Sequence, residues 1–237
     1  MKRLKLLLSL LLVALWLSDA GAKEVWVFCA MGMRDLAKDA ANHFKGRVVF
    51  NFSSSGRLAK QIEEGASADV YLSANKRWVE YLKKKGLLVE SSIEPVAKTQ
   101  LVVIVPKDSK IKSLKEAKTI AVGDKSAPVG RYALEALKNL KLYGELKNRL
   151  VFAPNVRQVA VWVATGNADA GIVYLSDYLK FKKSVKLLKV LPEKSHSPAI
   201  FYGAAVKGGN VKEAEAFLNT LHSLPEREME RFGFRRP

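Results

Sequence analysis

The sequence has little of the chemistry that usually marks a metal centre or a disulfide-stabilised fold. It contains one Cys and three separated His, at positions 43, 196 and 222, in 237 residues. A single Cys excludes a disulfide framework and any Cys-based zinc cluster, and three scattered His leave little for a His-rich site. The sequence therefore predicts that the protein binds no metal cation and requires no cofactor.

Acidic residues are also few, because 40 Lys and Arg face 23 Asp and Glu, which gives a net charge of +17. Such an excess first suggests nucleic-acid binding. However, the basic residues are scattered, with 83–85 as the only Lys triplet, and aromatic residues do not alternate with them as base stacking would require. We interpret the charge as a solvated basic surface and expect no nucleic-acid partner.

The first 22 residues have the pattern of a cleavable export signal. Three basic residues within the first five precede an apolar run, 6–17, which has the length of a signal-peptide core and is short for a membrane span. Small residues at 20–22 predict cleavage after Ala22, a periplasmic or extracytoplasmic location, and a charge of +15 on the mature chain, since the signal holds three basic residues and one Asp. An uncleaved anchor helix is the alternative. A lipoprotein fits less well, because Cys29 lies inside an apolar strand.

Short apolar runs alternate with helical patterns along the rest of the chain. The predicted strands are nearly continuously apolar, which favours parallel strands buried on both faces. They are 25–28, 48–52, 70–73, 101–105, 120–122, 171–174 and 201–206. Apolar residues at helical spacing lie between them, as in Met33, Leu36, Ala37, Ala40, Ala41 and Phe44. This alternation predicts βαβ units and an open parallel sheet.

The strand-to-helix junctions are the places where a ligand could bind, because ligands of open α/β sheets lie beyond the carboxyl ends of the strands. Four of the five predicted junctions end at a helix start, where unpaired N–H groups and the helix dipole favour an anion. Converging helix N-termini can form an anion site without any Lys or Arg. The five junctions are 29–33, 53–57, 123–130, 154–156 and 174–176.

Each junction also has an ordinary structural interpretation. Residues 53–55 could be a Ser-rich turn with an N-cap, 128–130 could be turn residues, and Tyr174 could be a core tyrosine. Three arginines lie just inside helix starts, where each could clamp an anion but is expected to point to solvent: Arg57, Arg131 and Arg157.

The order of these segments resembles the periplasmic molybdate-binding proteins of ABC transporters. The matching segments are 28–34, 52–65, 68–74, 121–124, 128–132, 155–157, 171–177 and 232–234. They follow one another over nearly the whole predicted mature chain, so chance explains them poorly. The resemblance implies an α/β, two-lobed type II periplasmic-binding-protein fold, with open sheets, helices on both faces and the ligand in the inter-lobe cleft. One lobe would comprise 23–100 plus 198–237, and the other 101–197.

In that family a tetrahedral oxyanion is held by neutral donors. The resemblance places the ligand-binding positions at Gly32, Ser55, Val129, Val156 and Tyr174. Ser55 and Tyr174 would donate hydroxyl groups, and the two valines would donate backbone N–H groups. The family usually has Ser where Gly32 stands and Ala where Val129 stands. One hydroxyl donor is therefore missing here, which costs roughly 1.5–3 kcal/mol of binding unless it is replaced.

The resemblance implies a monomeric extracytoplasmic solute-binding protein that captures molybdate or tungstate and delivers it to a membrane ABC permease, and it does not imply an enzyme. The main alternative is the same fold binding sulfate, or an organic carboxylate clamped by Arg131 or Arg157. A secreted hydrolase is a third possibility with little support, because the sequence has no Gly-x-Ser-x-Gly elbow and no His in a junction.

Overall fold

The structure is a computed structural model that describes residues 24–237. The predicted export signal, 1–22, lies outside the described residues. The described chain forms two five-stranded sheets with helices packed around them, in two lobes. Within 24–237, no helix is both long enough and apolar enough to span a bilayer.

The strands and helices alternate as the sequence pattern predicts. The strands of the described region are β1 (Glu24–Ala30), β2 (Arg47–Ser53), β3 (Val70–Ser73), β4 (Glu94–Thr99), β5 (Leu101–Pro106), β6 (Ile120–Gly123), β7 (Leu150–Ala153), β8 (Ala170–Tyr174), β9 (Val185–Val190) and β10 (Ala199–Ala205). Its α-helices are α1 (Arg34–His43), α2 (Ser55–Glu63), α3 (Lys76–Lys84), α4 (Pro128–Asn139), α5 (Tyr143–Leu146), α6 (Val156–Ala164), α7 (Leu175–Phe181), α8 (Val211–His222) and α9 (Glu226–Arg231). A short 3-10 turn, Met31–Met33, joins β1 to α1.

Both sheets combine parallel and antiparallel strands. The first has the order β2-β1-β3-β10-β4, in which β1 runs parallel to β2 and β3, whereas β10 runs antiparallel to β3 and β4. The second has the order β7-β6-β8-β5-β9, in which β6 is parallel to β7 and β8, and β5 is antiparallel to β8 and β9. The chain passes to the second sheet between Thr99 and Leu101 and returns between Val190 and Ala199.

All seven predicted strands are present, but the expectation of an entirely parallel sheet is wrong. An apolar run shows that both faces of a strand are covered and does not reveal its direction. Three strands escaped prediction, namely β4, β7 and β9. Strands β4 and β9 mix charged and apolar residues, and β4 contains Pro95 near its start, so neither shows a continuous apolar run. Strand β7 is an apolar run of only four residues that the sequence pattern did not single out.

The helix stripes that the sequence predicted are buried in the core. Leu36, Ala37 and Ala40 of α1 are fully buried, and Phe44, at the end of this helix, packs edge-on against Phe217 of α8 with ring centroids 5.7 Å apart. Cys29 lies near the end of β1 and is fully buried, as expected for a small apolar residue. The core thus fixes β1 and α1, and with them the turn Met31–Met33 that faces the cleft.

Candidate anion-binding site

Three helix N-termini meet at a small cavity between the two sheets. Helix α2 begins at Ser55 after β2, α4 begins at Pro128 after β6, and α6 begins at Val156 after β7. The first N–H groups of each helix have no partner within the helix, and each dipole places roughly half a positive charge there. The cavity between them has a volume of about 20 Å³.

The wall of this cavity contains no charged side chain. It is lined by Ala30, Met31, Gly32, Ser54, Ser55, Ala74, Ala127, Pro128, Val129, Asn155 and Val156. Positive potential therefore comes from helix N-termini rather than from Lys or Arg, and no carboxylate is present to accept a proton from a ligand. Such a site stabilises an anion through donated hydrogen bonds alone.

The sequence placed five residues in the site, and four of them line this one cavity: Gly32, Ser55, Val129 and Val156. Tyr174 does not line it; it is buried directly behind Gly32. The structure thus brings together residues that are far apart in the chain, whereas their role as ligand donors stays a prediction.

Ser55 is held in a fixed orientation by two neighbouring segments. Its Oγ accepts a hydrogen bond from the Ala74 N–H at 2.9 Å, and its carbonyl accepts one from the Tyr71 hydroxyl at 2.8 Å. Because Oγ acts as an acceptor in this contact, its own proton remains available to a ligand. The preceding Ser54, which the sequence did not single out, lines the cavity as well, and its buried Oγ has no hydrogen-bond partner among the described residues.

Tyr174 is a buried tyrosine whose hydroxyl group has no hydrogen-bond partner among the described residues. Burial raises the pKa of Tyr174 well above its ordinary value, and the nearby Tyr132 and Asp177 raise it further. The phenol therefore remains protonated and can act as a donor. An unpaired buried hydroxyl is costly, and in native structures it usually calls for an explanation such as a ligand.

The resemblance leads us to expect Ser where Gly32 stands, and the structure shows a steric reason for Gly at this position. A Cβ atom at position 32 would lie 2.7 Å from Cδ2 of Tyr174 and 3.4 Å from Cζ of Phe201. The Tyr174 ring thus occupies the space that a Ser side chain would need. At this position of the cavity wall, the Tyr174 ring packs against Gly32 where a Ser hydroxyl donor would otherwise lie.

Local sequence chemistry positions the other two helix starts. Pro128 occupies the first turn of α4, where its lack of an N–H costs nothing. A Cβ on Gly130 would lie 2.1 Å from the Gly123 carbonyl oxygen, so only Gly allows α4 to begin so close to the end of β6. Asn155 caps α6 by accepting a hydrogen bond from the Gln158 N–H at 3.1 Å, which leaves the Val156 N–H free.

Hydrogen bonds cross between the two sheets on either side of the cavity. The indole N–H of Trp78, in α3, donates to the Ser126 carbonyl at 3.0 Å. The Ser176 hydroxyl donates to the Gly32 carbonyl at 2.9 Å. Because each bond joins a residue near one sheet to a residue near the other, these contacts hold the two walls of the cavity together.

Arg157 does not point to solvent, so that expectation is wrong. Its side chain is 12% exposed and forms ion pairs at 3.0 Å with both Asp35 in α1 and Asp177 in α7. We call these three residues the Arg157 bridge; it spans the cleft, since α1 packs on the first sheet and α6 on the second. Burial raises the pKa of Asp177 to about 7, Arg157 opposes this shift, and Asp35 adds to it. Because its guanidinium group already contacts two carboxyl groups, Arg157 is not a free clamp for an organic carboxylate.

A basic groove opens beside the cavity, with a volume of about 630 Å³. Its one acidic side chain, Glu135, accepts hydrogen bonds from the N–H and hydroxyl of Ser197. Tyr132 also lines the groove and donates to the Ala74 carbonyl at 3.3 Å, so groove and cavity share a wall. The cationic side chains that define the basic groove are Lys76, Arg77, Lys125, Arg131 and Lys138.

A larger groove of about 890 Å³ also includes Gly32. Its lining mixes acidic residues such as Asp35 and Asp39 with basic ones such as Lys180 and Arg231. No start of α2, α4 or α6 faces it. The smaller cavity is therefore the better candidate for an anion, despite its size.

Comparisons with known proteins agree with this geometry. Residues 25–235 match the family described as bacterial extracellular solute-binding protein. The chain is 37% identical to the molybdate-binding protein ModA of Haemophilus influenzae, over 94% of each chain, and 35% identical to that of Escherichia coli, over 92% of this chain and 90% of the relative. The periplasmic molybdate-binding protein of Azotobacter vinelandii shares the fold, with a TM-score of 0.79, 24% identity, and coverage of 90% of this chain and 99% of that one.

Proposed function

The chain belongs to the bacterial extracellular solute-binding proteins, and we propose that it captures molybdate or tungstate between its lobes and delivers the anion to a membrane ABC permease. It is a binding protein and not an enzyme. We also propose that it works outside the cytoplasm as a monomer, after removal of an export signal at 1–22.

The convergence of three helix N-termini on one uncharged cavity supports this proposal most strongly. Backbone N–H groups of Gly32, Val129 and Val156 would bind the oxyanion together with the Ser55 hydroxyl. Tyr174 would add its phenol from behind Gly32. Charge-assisted hydrogen bonds of this kind are about twice as strong as neutral ones, so five donors suffice for a dianion without a cationic side chain.

Binding requires the two walls to separate and close again. A cavity of about 20 Å³ exceeds only slightly the roughly 10–15 Å³ that one water molecule needs. A tetrahedral anion has four oxygen atoms and needs more room. We place the moving lobes at 23–100 plus 198–237 and at 101–197, and the closed arrangement would be the form that a permease recognises.

The donor-only wall also bears on which anion is preferred. Phosphate still carries a proton near neutral pH and would leave that proton without an acceptor, since no carboxylate lines the cavity. Molybdate, tungstate and sulfate are fully deprotonated, so the size of the closed pocket would decide among them. Sulfate is therefore the alternative ligand.

A thermal-shift series with molybdate, tungstate, sulfate and phosphate tests the proposal. A ligand at 1,000 times its Kd stabilises the folded state by about 4 kcal/mol. For a protein of this size we expect the melting temperature to rise by roughly 8–16 °C with molybdate or tungstate. The absence of any shift with these two anions at millimolar concentration would refute the proposal.

Two serine variants serve as a matched pair for the same measurement. Ser55→Ala removes a hydroxyl that lines the cavity, whereas Ser53→Ala changes a neighbouring serine that does not line it. We expect Ser55→Ala to weaken binding by roughly 10- to 150-fold, from the 1.5–3 kcal/mol of a hydrogen bond to a charged group. Ser53→Ala should bind as the parent does.

A further inference from the structure

A second group of potential ligands lies at the C-terminal end of α1, outside the anion cavity. Asp39 and His43 are four residues apart on this helix and therefore lie on the same side of it. Glu228 reaches them from α9. One ligand atom from each of the three residues lies within 4.8 Å of the other two. The fold alone creates this group, because Glu228 is far away in sequence.

Each carboxylate of this group has one oxygen atom that is shielded from solvent, although its side chain as a whole is only partly buried. Oδ2 of Asp39 and Oε2 of Glu228 are buried, and neither has a hydrogen-bond partner among the described residues. The ion pairs of the described chain join Glu228 to His43 alone, and include none with Asp39. The chain has 40 Lys and Arg, yet none of those described neutralises this pair. Two shielded carboxylate oxygens that receive no hydrogen bond, one of them 3.5 Å from an imidazole nitrogen, form a favourable place for a cation.

His43 and Glu228 are also too far apart to satisfy each other fully. Nε2 of His43 lies 3.5 Å from Oε2 of Glu228, which is longer than the roughly 2.7–3.2 Å of a hydrogen bond. Two ligand atoms bound to the same tetrahedral zinc ion, at about 2.0–2.1 Å each, lie about 3.3–3.4 Å apart. This separation is close to that of two atoms sharing an ion, and the Asp39 oxygen lies within 4.8 Å of both, so small side-chain movements would bring the three ligands together.

We propose that Asp39, His43 and Glu228 bind a divalent transition-metal ion of the zinc type. One imidazole and two carboxylates suit zinc, whereas calcium and magnesium prefer oxygen ligands only and more of them. The His43 side chain is 52% exposed, so an ion can enter from solvent and keep a water molecule as its fourth ligand.

This site departs from the prediction that the protein binds no metal cation. That prediction considered His-rich and Cys-rich clusters, and a site with one His on a helix face and an acid from another helix leaves no such signature. The bound ion would connect α9 to α1, the helix that follows the cavity-lining turn Met31–Met33. Metal binding should therefore stabilise the folded protein without occupying the anion site.

Calorimetric titration with Zn²⁺ tests the site, using protein expressed from the full-length gene without an affinity tag and stripped of metal with a chelator. Absorption spectra with Co²⁺ would report the coordination directly. We expect one ion per chain, a rise in melting temperature with Zn²⁺, and at least a tenfold loss of affinity in His43→Ala. Asp39→Asn and Glu228→Gln should each weaken binding as well, so the test does not depend on one variant folding.

His222→Ala is the matched control. His222 pairs with Glu94 at 2.7 Å and its side chain is partly exposed, but no third ligand from the described residues joins that pair. This variant should bind Zn²⁺ as the parent does. The proposal is overturned if millimolar Zn²⁺ shows no stoichiometric binding, or if His43→Ala and His222→Ala bind equally well. Molybdate binding is measured separately on the same samples, so the two proposals can fail independently.

Discussion

At the residue scale, the hydroxyl groups of two buried tyrosines are expected to have different roles, one in ligand binding and the other in stabilising the fold. Tyr174 has no hydrogen-bond partner for its hydroxyl among the described residues, whereas the equally buried Tyr71 donates to the Ser55 carbonyl. Tyr174→Phe removes no hydrogen bond within the described chain, so we expect no loss of stability in the ligand-free protein, but roughly 10- to 150-fold weaker oxyanion binding. Urea unfolding and ligand titration measure the two effects.

Tyr71→Phe provides the contrast for this prediction. Its hydroxyl makes a hydrogen bond at 2.8 Å, so removing it should lower the free energy of unfolding by about 0.5–1.5 kcal/mol. Unchanged affinity in Tyr174→Phe would show that the phenol is not a ligand donor. The pair of variants therefore tests whether the unpaired hydroxyl is explained by the ligand.

The sequence could identify some of these residues and not others. Gly32, Ser55 and Val129 follow predicted strands and Val156 opens a predicted helix, so the rule for open α/β sheets directed attention to these junctions. The resemblance to the family then indicated the individual residues within them. The partners of Arg157 could not be predicted in the same way. Asp35 lies 122 residues away on a helix of the other lobe, and nothing in a local pattern shows that the guanidinium turns inward.

At the scale of elements, the Arg157 bridge joins α1, α6 and α7, and it makes stability depend on pH. The pKa of Asp177 rises from 3.8 to about 7 in the folded protein. Between these values the folded chain holds a proton that the unfolded chain has released. Raising the pH through this interval therefore favours unfolding, by up to about 1.4 kcal/mol for each pH unit crossed, and the contribution is constant above it.

Asp177→Asn should flatten this part of the pH profile. We expect the urea midpoint of the parent protein to fall between pH 4 and pH 7 more steeply than that of the variant. Asp108→Asn, at an exposed aspartate, should keep the parent slope. Equal slopes in the parent and Asp177→Asn would contradict the assignment.

The elements themselves were predicted unevenly, for a physical reason. Strands buried on both faces, such as β5 and β8, have a continuous apolar run that can be recognised in the sequence even when the neighbouring strands are unknown. Strand β9 alternates irregularly between covered and exposed residues, because it forms the edge of the second sheet. The direction of the strands was not predictable either. Strands β5 and β10 have the apolar composition of parallel strands, but they are the first strands after the chain crosses between the lobes and they run antiparallel to their neighbours.

At the scale of the whole molecule, the net charge of +17 affects the rate of binding more than its strength. The cavity wall contains no charged side chain, but the basic groove beside it concentrates five cationic side chains around one carboxylate. Such a groove attracts dianions by long-range forces that salt screens. We expect the association rate constant for molybdate to fall several-fold as salt rises, with little change in dissociation, as measured by stopped-flow fluorescence.

Two sets of lysine variants locate the source of this steering. Changing three lysines of the basic groove to Gln together should reduce both the association rate constant for molybdate and its salt dependence. These lysines are Lys76, Lys125 and Lys138. The same change at three exposed lysines outside the groove should affect the association rate less, although it removes the same charge. These control lysines are Lys45, Lys110 and Lys212. Equal effects of the two sets would mean that net charge alone governs the rate.

The buried thiol of Cys29 has a practical consequence for studying the motion of the lobes. Burial raises the pKa of Cys29, so the reactive thiolate does not form at neutral pH, and the side chain is inaccessible in the folded protein. It is also the only cysteine of the sequence. Two cysteines introduced on opposite sides of the cleft can therefore carry spin labels or fluorophores with no background, and the distance between them can be followed during ligand capture.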